Sequence, residues 1–235
     1  MFHPSGPTFK DLTLQALSST ERGYDLLAPR FDLTPFRTPD PIVQGVVHVA
    51  TRHAPVRSAI DLCCGTGAGV VGLRPFVTDH LVGMDFSGGM LAEAARAAAR
   101  VGGADFLKAD VLTHPFTPQF ELATCFGALG HFRTRDQPTF VAQVHRALVP
   151  GGRFVFATAE QVPKTSRTWW LYRGFNAVMR VRNAVLRPPF IMYYLNFLLP
   201  RATAVLNDAG FAVEVHHGAI AAPYDRYVVV VATKS

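Results

Sequence analysis

The chain has 235 residues, 49% of them apolar and only 17% charged, against about 25% charged in an average soluble domain, which excludes a disordered chain and leaves ample material for one large core. Its net charge of +6 is local: from Gln161 to Asn207 there is no Asp or Glu, while Lys164, Arg167, Arg173, Arg180, Arg182, Arg187 and Arg201 supply seven of the 23 basic residues, leaving 16 against 17 acids elsewhere. Three cysteines, the adjacent Cys63 and Cys64 and the separate Cys125, exclude a disulfide scaffold and offer no C-x-x-C metal or redox spacing; with no signal peptide in the opening MFHPSGPTFKD and no apolar run near the roughly 20 residues of a membrane span, the expectation is a cytoplasmic, metal-free protein.

Residues 1–57 read as a helical cap segment, interrupted by Pro and Gly, that leads into a helix from about Pro41 to His53. Residues 58–235 read as the core, where short apolar runs alternate with helix-like stretches, as strand-helix units feeding a parallel sheet do. The spacing predicts strands over Ala59 to Cys63, His80 to Asp85, Ala104 to Ala109, Phe120 to Phe126 and Arg153 to Thr158. Helices fall over the Ala-rich Gly89 to Arg100 and over Gln137 to Leu148, the second stopped by Pro150-Gly151-Gly152. A basic, aromatic insert covers 160–201, then Arg201 to Asp208 reads as a helix closed by Gly210. The strands Phe211 to His216 and Tyr227 to Ala232 are separated by about ten residues without helical pattern, so they pair antiparallel. The layout is α/β, with a seven-stranded, mostly parallel sheet that ends in an antiparallel hairpin.

After the first strand the chain reads Asp61-Leu62-Cys63-Cys64-Gly65-Thr66-Gly67-Ala68-Gly69, a glycine-rich turn that lets the backbone approach a ligand closely. Two cofactors could use it. Gly67 to Gly72 matches the G-x-G-x-x-G pattern of a nicotinamide oxidoreductase, with Asp85 downstream for a ribose, although these glycines do not follow the strand directly. Alternatively the turn is Gly65-Thr66-Gly67 itself, with Asp61 at the end of the strand. A carboxylate there suits a cofactor carrying a cationic amino acid rather than a pyrophosphate.

At these residues the chain resembles the class I S-adenosylmethionine-dependent methyltransferases, in particular the small-molecule branch that includes the ubiquinone and menaquinone biosynthesis methyltransferases. The matching pieces are Asp61 to Gly67, Gly83-Met84-Asp85-Phe86-Ser87 with Met90-Leu91, Lys108-Ala109-Asp110-Val111, and Leu148-Val149-Pro150-Gly151-Gly152. The family's usual glycine at position 63 is a cysteine here. The resemblance implies a Rossmann-like, doubly wound sheet and a complete site for S-adenosyl-L-methionine. In it, Asp61 and the backbone of Cys63, Cys64, Gly65 and Gly67 bind the methionine moiety, Asp85 takes both ribose hydroxyls, and Phe86 and Met90 sandwich the adenine. Asp110 and the Val111 amide read the edge of that ring, Phe126 completes the pocket, and Tyr24, in Tyr24-Asp25-Leu26-Leu27-Ala28-Pro29-Arg30-Phe31-Asp32, closes over the cofactor with Phe31.

Methyl transfer from a sulfonium is a direct displacement, so the enzyme mainly aligns the reactants and excludes water. A base is needed only where the acceptor loses a proton, and the candidate is His131 in Phe126-Gly127-Ala128-Leu129-Gly130-His131-Phe132. Nucleic-acid amino-methyltransferases of this fold carry Asp/Asn-Pro-Pro-aromatic after the fourth strand. Cys125-Phe126-Gly127-Ala128 stands here instead, which points away from nucleic acid and toward a small, lipophilic acceptor such as a quinone, polyketide or lipid-like metabolite.

Within the insert, Leu171, Phe175, Val178, Val181 and Val185 form one helical stripe with Arg173, Arg180 and Arg187 opposite. Pro188-Pro189 ends that helix, and Ile191 to Leu199 is a second apolar segment. Three readings stand: a lid over the acceptor in which Trp169, Trp170, Tyr193 and Arg182 meet the substrate, an amphipathic element on an anionic membrane, or a homodimer surface. A noncatalytic cofactor-binding module with membrane association is a further alternative to the enzyme.

Overall fold

A computed structural model describes residues 6–235. Thr8 and Ser19 cap the first two helices, α1 (Phe9–Leu17) and α2 (Thr20–Leu27), by accepting the backbone N–H three residues on. After α3 (Asp40–Ala50) come β1 (Val56–Leu62), α4 (Ala68–Leu73), β2 (Val77–Asp85), α5 (Gly88–Ala98), β3 (Asp105–Lys108), β4 (Phe120–Cys125), α6 (Gln137–Ala147) and β5 (Leu148–Ala159). The chain closes with α7 (Arg167–Val185), α8 (Leu199–Asp208), β6 (Phe211–His216) and β7 (Tyr227–Lys234).

The seven strands form one sheet in the order β3-β2-β1-β4-β5-β7-β6. The first five pair in parallel, and β7 runs antiparallel to both β5 and β6. Sequence explains why the hairpin folds back with its second strand inside. Val228 to Ala232 are buried at every position, as a central strand requires, whereas β6 alternates and exposes Glu214, as an edge strand tolerates. β5 begins earlier than its pattern suggests. Leu148 already pairs with Phe120, and a register shift carries the chain through Pro150-Gly151-Gly152, where Gly151 takes φ +75° and a side chain on Gly152 would strike the Val149 and Phe120 carbonyls.

On one face of the sheet, Val46, Ala50, Val70, Leu73, Leu91 and Ala94 from α3, α4 and α5 pack on Ala59, Leu81, Leu122 and Val229. On the other, Phe140, Val141, Val144, Ala202, Val205 and Leu206 from α6 and α8 cover Ile60, Phe154, Phe156 and Val230. β1 leads toward β2 and β4 toward β5, so strand order reverses between β1 and β4, where open α/β sheets form a ligand crevice at the strands' carboxyl ends.

Four of the five residues of the apolar stripe of α7 do not turn toward the protein. Leu171, Val178, Val181 and Val185 are 65–75% exposed, while Phe175 is half-buried on Tyr194, and the inward face joins Tyr172 and Phe175 to two asparagines. Asn176 accepts the Tyr194 N–H at 2.9 Å and donates to its carbonyl at 2.7 Å. Asn183 pairs in the same way with Phe190, at 2.9 Å for each bond. Residues 188–198 have no ladder partner, so the two amides supply what a neighbouring strand otherwise would. This strap is also pinned below, where Tyr193 N donates to Gly130 O at 2.9 Å and Thr158 Oγ1 to Phe197 O at 2.7 Å.

Candidate functional site

The turn after β1 is shaped by backbone that glycine favours. Cys63 (φ +56°), Gly65 (φ +54°) and Gly67 (φ +87°) are all left-handed, and Gly67 N closes the loop on Cys64 O at 2.9 Å. Cysteine at position 63 therefore sits in a conformation that strains an L side chain. Its thiol, hydrogen-bonded to Cys125 and buried, is pushed well above the ordinary thiol range and stays neutral.

The three glycines of the G-x-G-x-x-G pattern face protein. A Cβ on Gly67 would lie 2.9 Å from Ala94 Cβ, one on Gly69 2.3 Å from the Phe126 ring and 2.4 Å from Asp61 Oδ2, and one on Gly72 3.0 Å from Val47. The smallness of Gly67 and Gly72 serves helix packing, and that of Gly69, at the cavity wall, leaves room for Phe126 and Asp61, so the pattern lends no support to the nicotinamide reading.

Asp61 is fully buried under this turn. Its Oδ1 accepts from Thr124 Oγ1 at 2.9 Å, while Oδ2 is the one buried side-chain oxygen or nitrogen among the described residues with no partner. Burial, with a smaller push from Asp85, raises its pKa from 3.8 to about 7 despite the Thr124 bond. At the end of β2, Asp85 accepts Ser87 N at 2.9 Å and Gly65 N at 3.0 Å. Burial raises its pKa against those bonds, and it keeps lone pairs for a ligand in the cavity.

The N-terminal helices are fastened to this floor by polar contacts. Asp25 accepts from Ser87 Oγ at 2.6 Å and from Gly89 N at 2.9 Å, which ties α2 to the first turn of α5. Asp32 accepts from Thr66 Oγ1 at 2.7 Å. Thus placed, Tyr24 lies among Phe31, Phe86, Phe190 and His131. Its Oη is 2.9 Å from His131 Nε2, and His131 Nδ1 meets the Ile191 carbonyl. A carbonyl only accepts, so Nδ1 carries the proton, and Nε2 is the free base that accepts from Tyr24. Burial holds the His131 pKa below its usual value; burial and then the Asp85 charge push the Tyr24 phenol up. Both groups are neutral at pH 7.

Two cavities meet at His131. The first, about 510 Å³, is lined by Tyr24, Cys63, Cys64, Gly65, Asp85, Phe86, Met90, Asp110, Val111 and Phe126, ten of the twelve residues expected at the cofactor. Asp61 and Gly67 are not on its surface: Asp61 lies beneath Gly69, and Gly67 turns toward Ala94. The second, about 690 Å³, is walled by the end of β5, Tyr172, Tyr193, Tyr194, Tyr224 and Tyr227. Phe36, Arg37, Thr38, Phe126, Gly127, His131 and Met192 line both. Of the expected substrate residues only Tyr193 reaches a cavity. Trp170 points to solvent, Trp169 packs edge-on against it, and Arg182 donates to Pro188 O and Ser18 O as a brace between α7 and α1. Sequence reasoning passed over Asp25 and Asp32, which follow Tyr24 by one and eight residues, and residues 36–38, whose place beside the cavities no local pattern signals.

A family model described as a methyltransferase domain matches residues 59–152. The chain is 31% identical over 210 residues to a 2-phytyl-1,4-naphtoquinone methyltransferase of Thermosynechococcus vestitus, covering 83% of this chain and 91% of that one. It is 34% identical over 145 residues to a demethylmenaquinone methyltransferase of Thermus thermophilus, covering 59% and 64%. Among solved structures, the DhpI–SAH complex superposes with a TM-score of 0.67 at 18% identity, over 96% of this chain and 98% of that one. Magnesium protoporphyrin IX methyltransferase from Synechocystis PCC 6803 with bound SAH gives 0.58 at 17% identity, over 82% and 81%. At such identities the two structures speak to the fold alone.

Proposed function

We propose that this chain, which belongs to the class I S-adenosylmethionine-dependent methyltransferases, methylates a small lipophilic acceptor of the hydroquinone or phenol kind held beside the loop after β4. The first cavity supports the cofactor's seat. Asp85 offers an anionic acceptor for a vicinal diol, Met90 and Phe86 offer apolar walls for a flat ring, and Asp110 keeps a carboxylate oxygen beyond the one that takes Leu112 N. The unpartnered Asp61 oxygen just beneath adds a site where a nearby cation is favourable. In this reading the acceptor's body lies in the tyrosine-rich second cavity, and its reacting atom reaches past His131 and Met192, which line both cavities, into the first, where Tyr24 stands. The relatives' printed names, a naphtoquinone and a demethylmenaquinone methyltransferase, agree with an aromatic, lipophilic acceptor. Free thiols at Cys63, Cys64 and Cys125 accord with a cytoplasmic, reducing setting.

When bound, S-adenosylmethionine supplies an electrophilic methyl group on a cationic sulfur. Asp85 and the 63–65 backbone fix the donor's orientation, while Tyr24, Phe31 and Phe126 keep water from the reacting centre. As the acceptor's oxygen or ring carbon takes the methyl, it releases a proton. That proton passes to Tyr24 Oη while Tyr24 hands its own to His131 Nε2, with Nδ1–H held on Ile191 O throughout. The raised Tyr24 pKa disfavours a free phenolate, so the two transfers are coupled.

His131, which lines both cavities and bonds to Tyr24, carries this reading. Purified protein is incubated with methyl-labelled S-adenosylmethionine and a prenylated naphthoquinol, and label is counted in the organic extract. Label is expected there, and His131→Asn should cut kcat on the order of a hundredfold with SAH affinity kept by calorimetry. The base form is the neutral one and its pKa is lowered, so the parent's kcat falls only below the ordinary histidine range. The variant should lose that limb. Unchanged turnover and pH profile in His131→Asn would remove the base assignment; label that enters no phenol or quinol would remove the acceptor class.

A further inference from the structure

We propose that the outward face of α7 lies on an anionic lipid surface. This rests on the surface of the helix and not on the methyltransferase reading. Trp170, Leu171, Val178, Val181 and Val185 are each 65–75% exposed, along a helix of 19 residues. The side that meets the protein is held by Asn176 and Asn183, with Tyr172 and Phe175 packed on Tyr194, so these five apolar residues are left over.

Charge selects the occupant. Arg173 and Arg180, with Arg187 just past the helix end, recur every seven residues on the side opposite the apolar stripe, Lys164 and Arg167 stand just before and at the helix start, and no acid occurs between Gln161 and Asn207. Among the described residues no carboxylate forms an ion pair with any of these five. A helix with an exposed apolar face and basic residues on the other side suits the boundary between acyl chains and anionic headgroups. A second copy across a two-fold axis would set this acid-free basic surface against itself. A protein partner is less well served, because the face is convex and neither cavity is lined by any of its five apolar residues. No described helix is long and apolar enough to cross a membrane, so the geometry is one of lying in the interface.

Both tryptophans of the chain, Trp169 and Trp170, are on α7, so intrinsic fluorescence reports on this face directly. The full chain is mixed with vesicles of phosphatidylcholine alone, or with an equal part of phosphatidylglycerol, at physiological ionic strength, and sedimentation and emission are followed. The anionic vesicles should sediment the protein and shift its emission to the blue, and the neutral ones should do neither. Each basic residue near such a surface is worth about a fivefold factor in partitioning, so Arg173→Glu, Arg180→Glu and Arg187→Glu together should cost on the order of a hundredfold or more. Leu171→Gln, Val178→Gln and Val181→Gln together should cost at least about tenfold and abolish the blue shift. All six positions are exposed, and circular dichroism should show both variants folded. No binding to anionic vesicles, equal binding to neutral ones, or full binding by the glutamine variant would each overturn the proposal. So would a parent dimer that the glutamine variant dissolves without any lipid dependence, which would assign the face to a second copy.

Discussion

The partnerless oxygen of Asp61 makes a sharp prediction about stability and pH. In Asp61→Asn, Oδ1 still accepts from Thr124 Oγ1, but the group no longer titrates. Burial lifts the native pKa from 3.8 to about 7, so between those values the folded chain holds a proton that the unfolded chain has lost. The sign follows: the stability linked to Asp61 is fully present below about pH 4 and is lost as pH rises through about 7. Each unit corresponds to about 1.4 kcal/mol, giving a ceiling of about 4 kcal/mol; relaxation and water entry at buried sites reduce this to roughly 2. The variant also buries an amide N–H pair near the Phe126 ring, a fixed cost of about 1–3 kcal/mol that does not depend on pH. The slope is therefore the observable. Urea unfolding of parent and variant, both free of cofactor, from pH 4 to 8.5 should show the variant gaining about 2–4 kcal/mol on the parent across that range. A difference that stays flat with pH would refute the reasoning, since it would mean that Asp61 is ionised throughout and compensated by something other than a proton.

Asp85→Ala should weaken SAH binding at least tenfold by calorimetry, as a charge-assisted bond is worth about 1.5–3 kcal/mol. Because Asp85 also accepts the Gly65 and Ser87 N–H groups, the same variant should lose about 1–3 kcal/mol in denaturant. At position 63 the left-handed backbone should make Cys63→Gly more stable than Cys63→Ala by about 1 kcal/mol; equal midpoints would show that the turn relaxes. Asn176→Ala orphans the N–H and carbonyl of Tyr194 and should speed amide exchange in residues 188–198 while strands β1 and β4 keep their protection. Uniform acceleration across the sheet would show instead that the strap unfolds only with the whole chain.

The parallel strands and their order of appearance were legible because burial on both faces leaves short, nearly unbroken apolar runs between helical patterns. The cofactor floor was legible for a different reason: a strand, a tight turn and a helix place its groups within a few residues of one another, so Asp85, Phe86 and Met90 announce themselves together. Long-range closure left no such trace. Tyr24 meets His131 across 107 positions, and Asp25 reaches Gly89 across 64. Nothing local to either partner specifies the other.

α7 shows why periodicity alone does not assign a face. The 3.6-residue rule assumes that an apolar stripe is the buried one, because burying it is the usual source of stability. Here the neighbour is an irregular strap whose backbone N–H and C=O groups find no partner in a neighbouring strand, and leaving such groups unpaired in a buried setting costs about 1–3 kcal/mol each. Two asparagines satisfy four of these groups, which outweighs what half-burying a valine or two on that side would contribute. The demand of the strap thus turns the helix, and the leucine and valines are carried outward as a consequence. Solvent alone gives no reason to keep that many apolar residues in register on an outward face. An apolar surface that water receives, on a helix whose other side carries Arg173 and Arg180 with no carboxylate partner among the described residues, is the physical state that a lipid interface would relieve, which is why the vesicle measurement is the one on which the meaning of this segment turns.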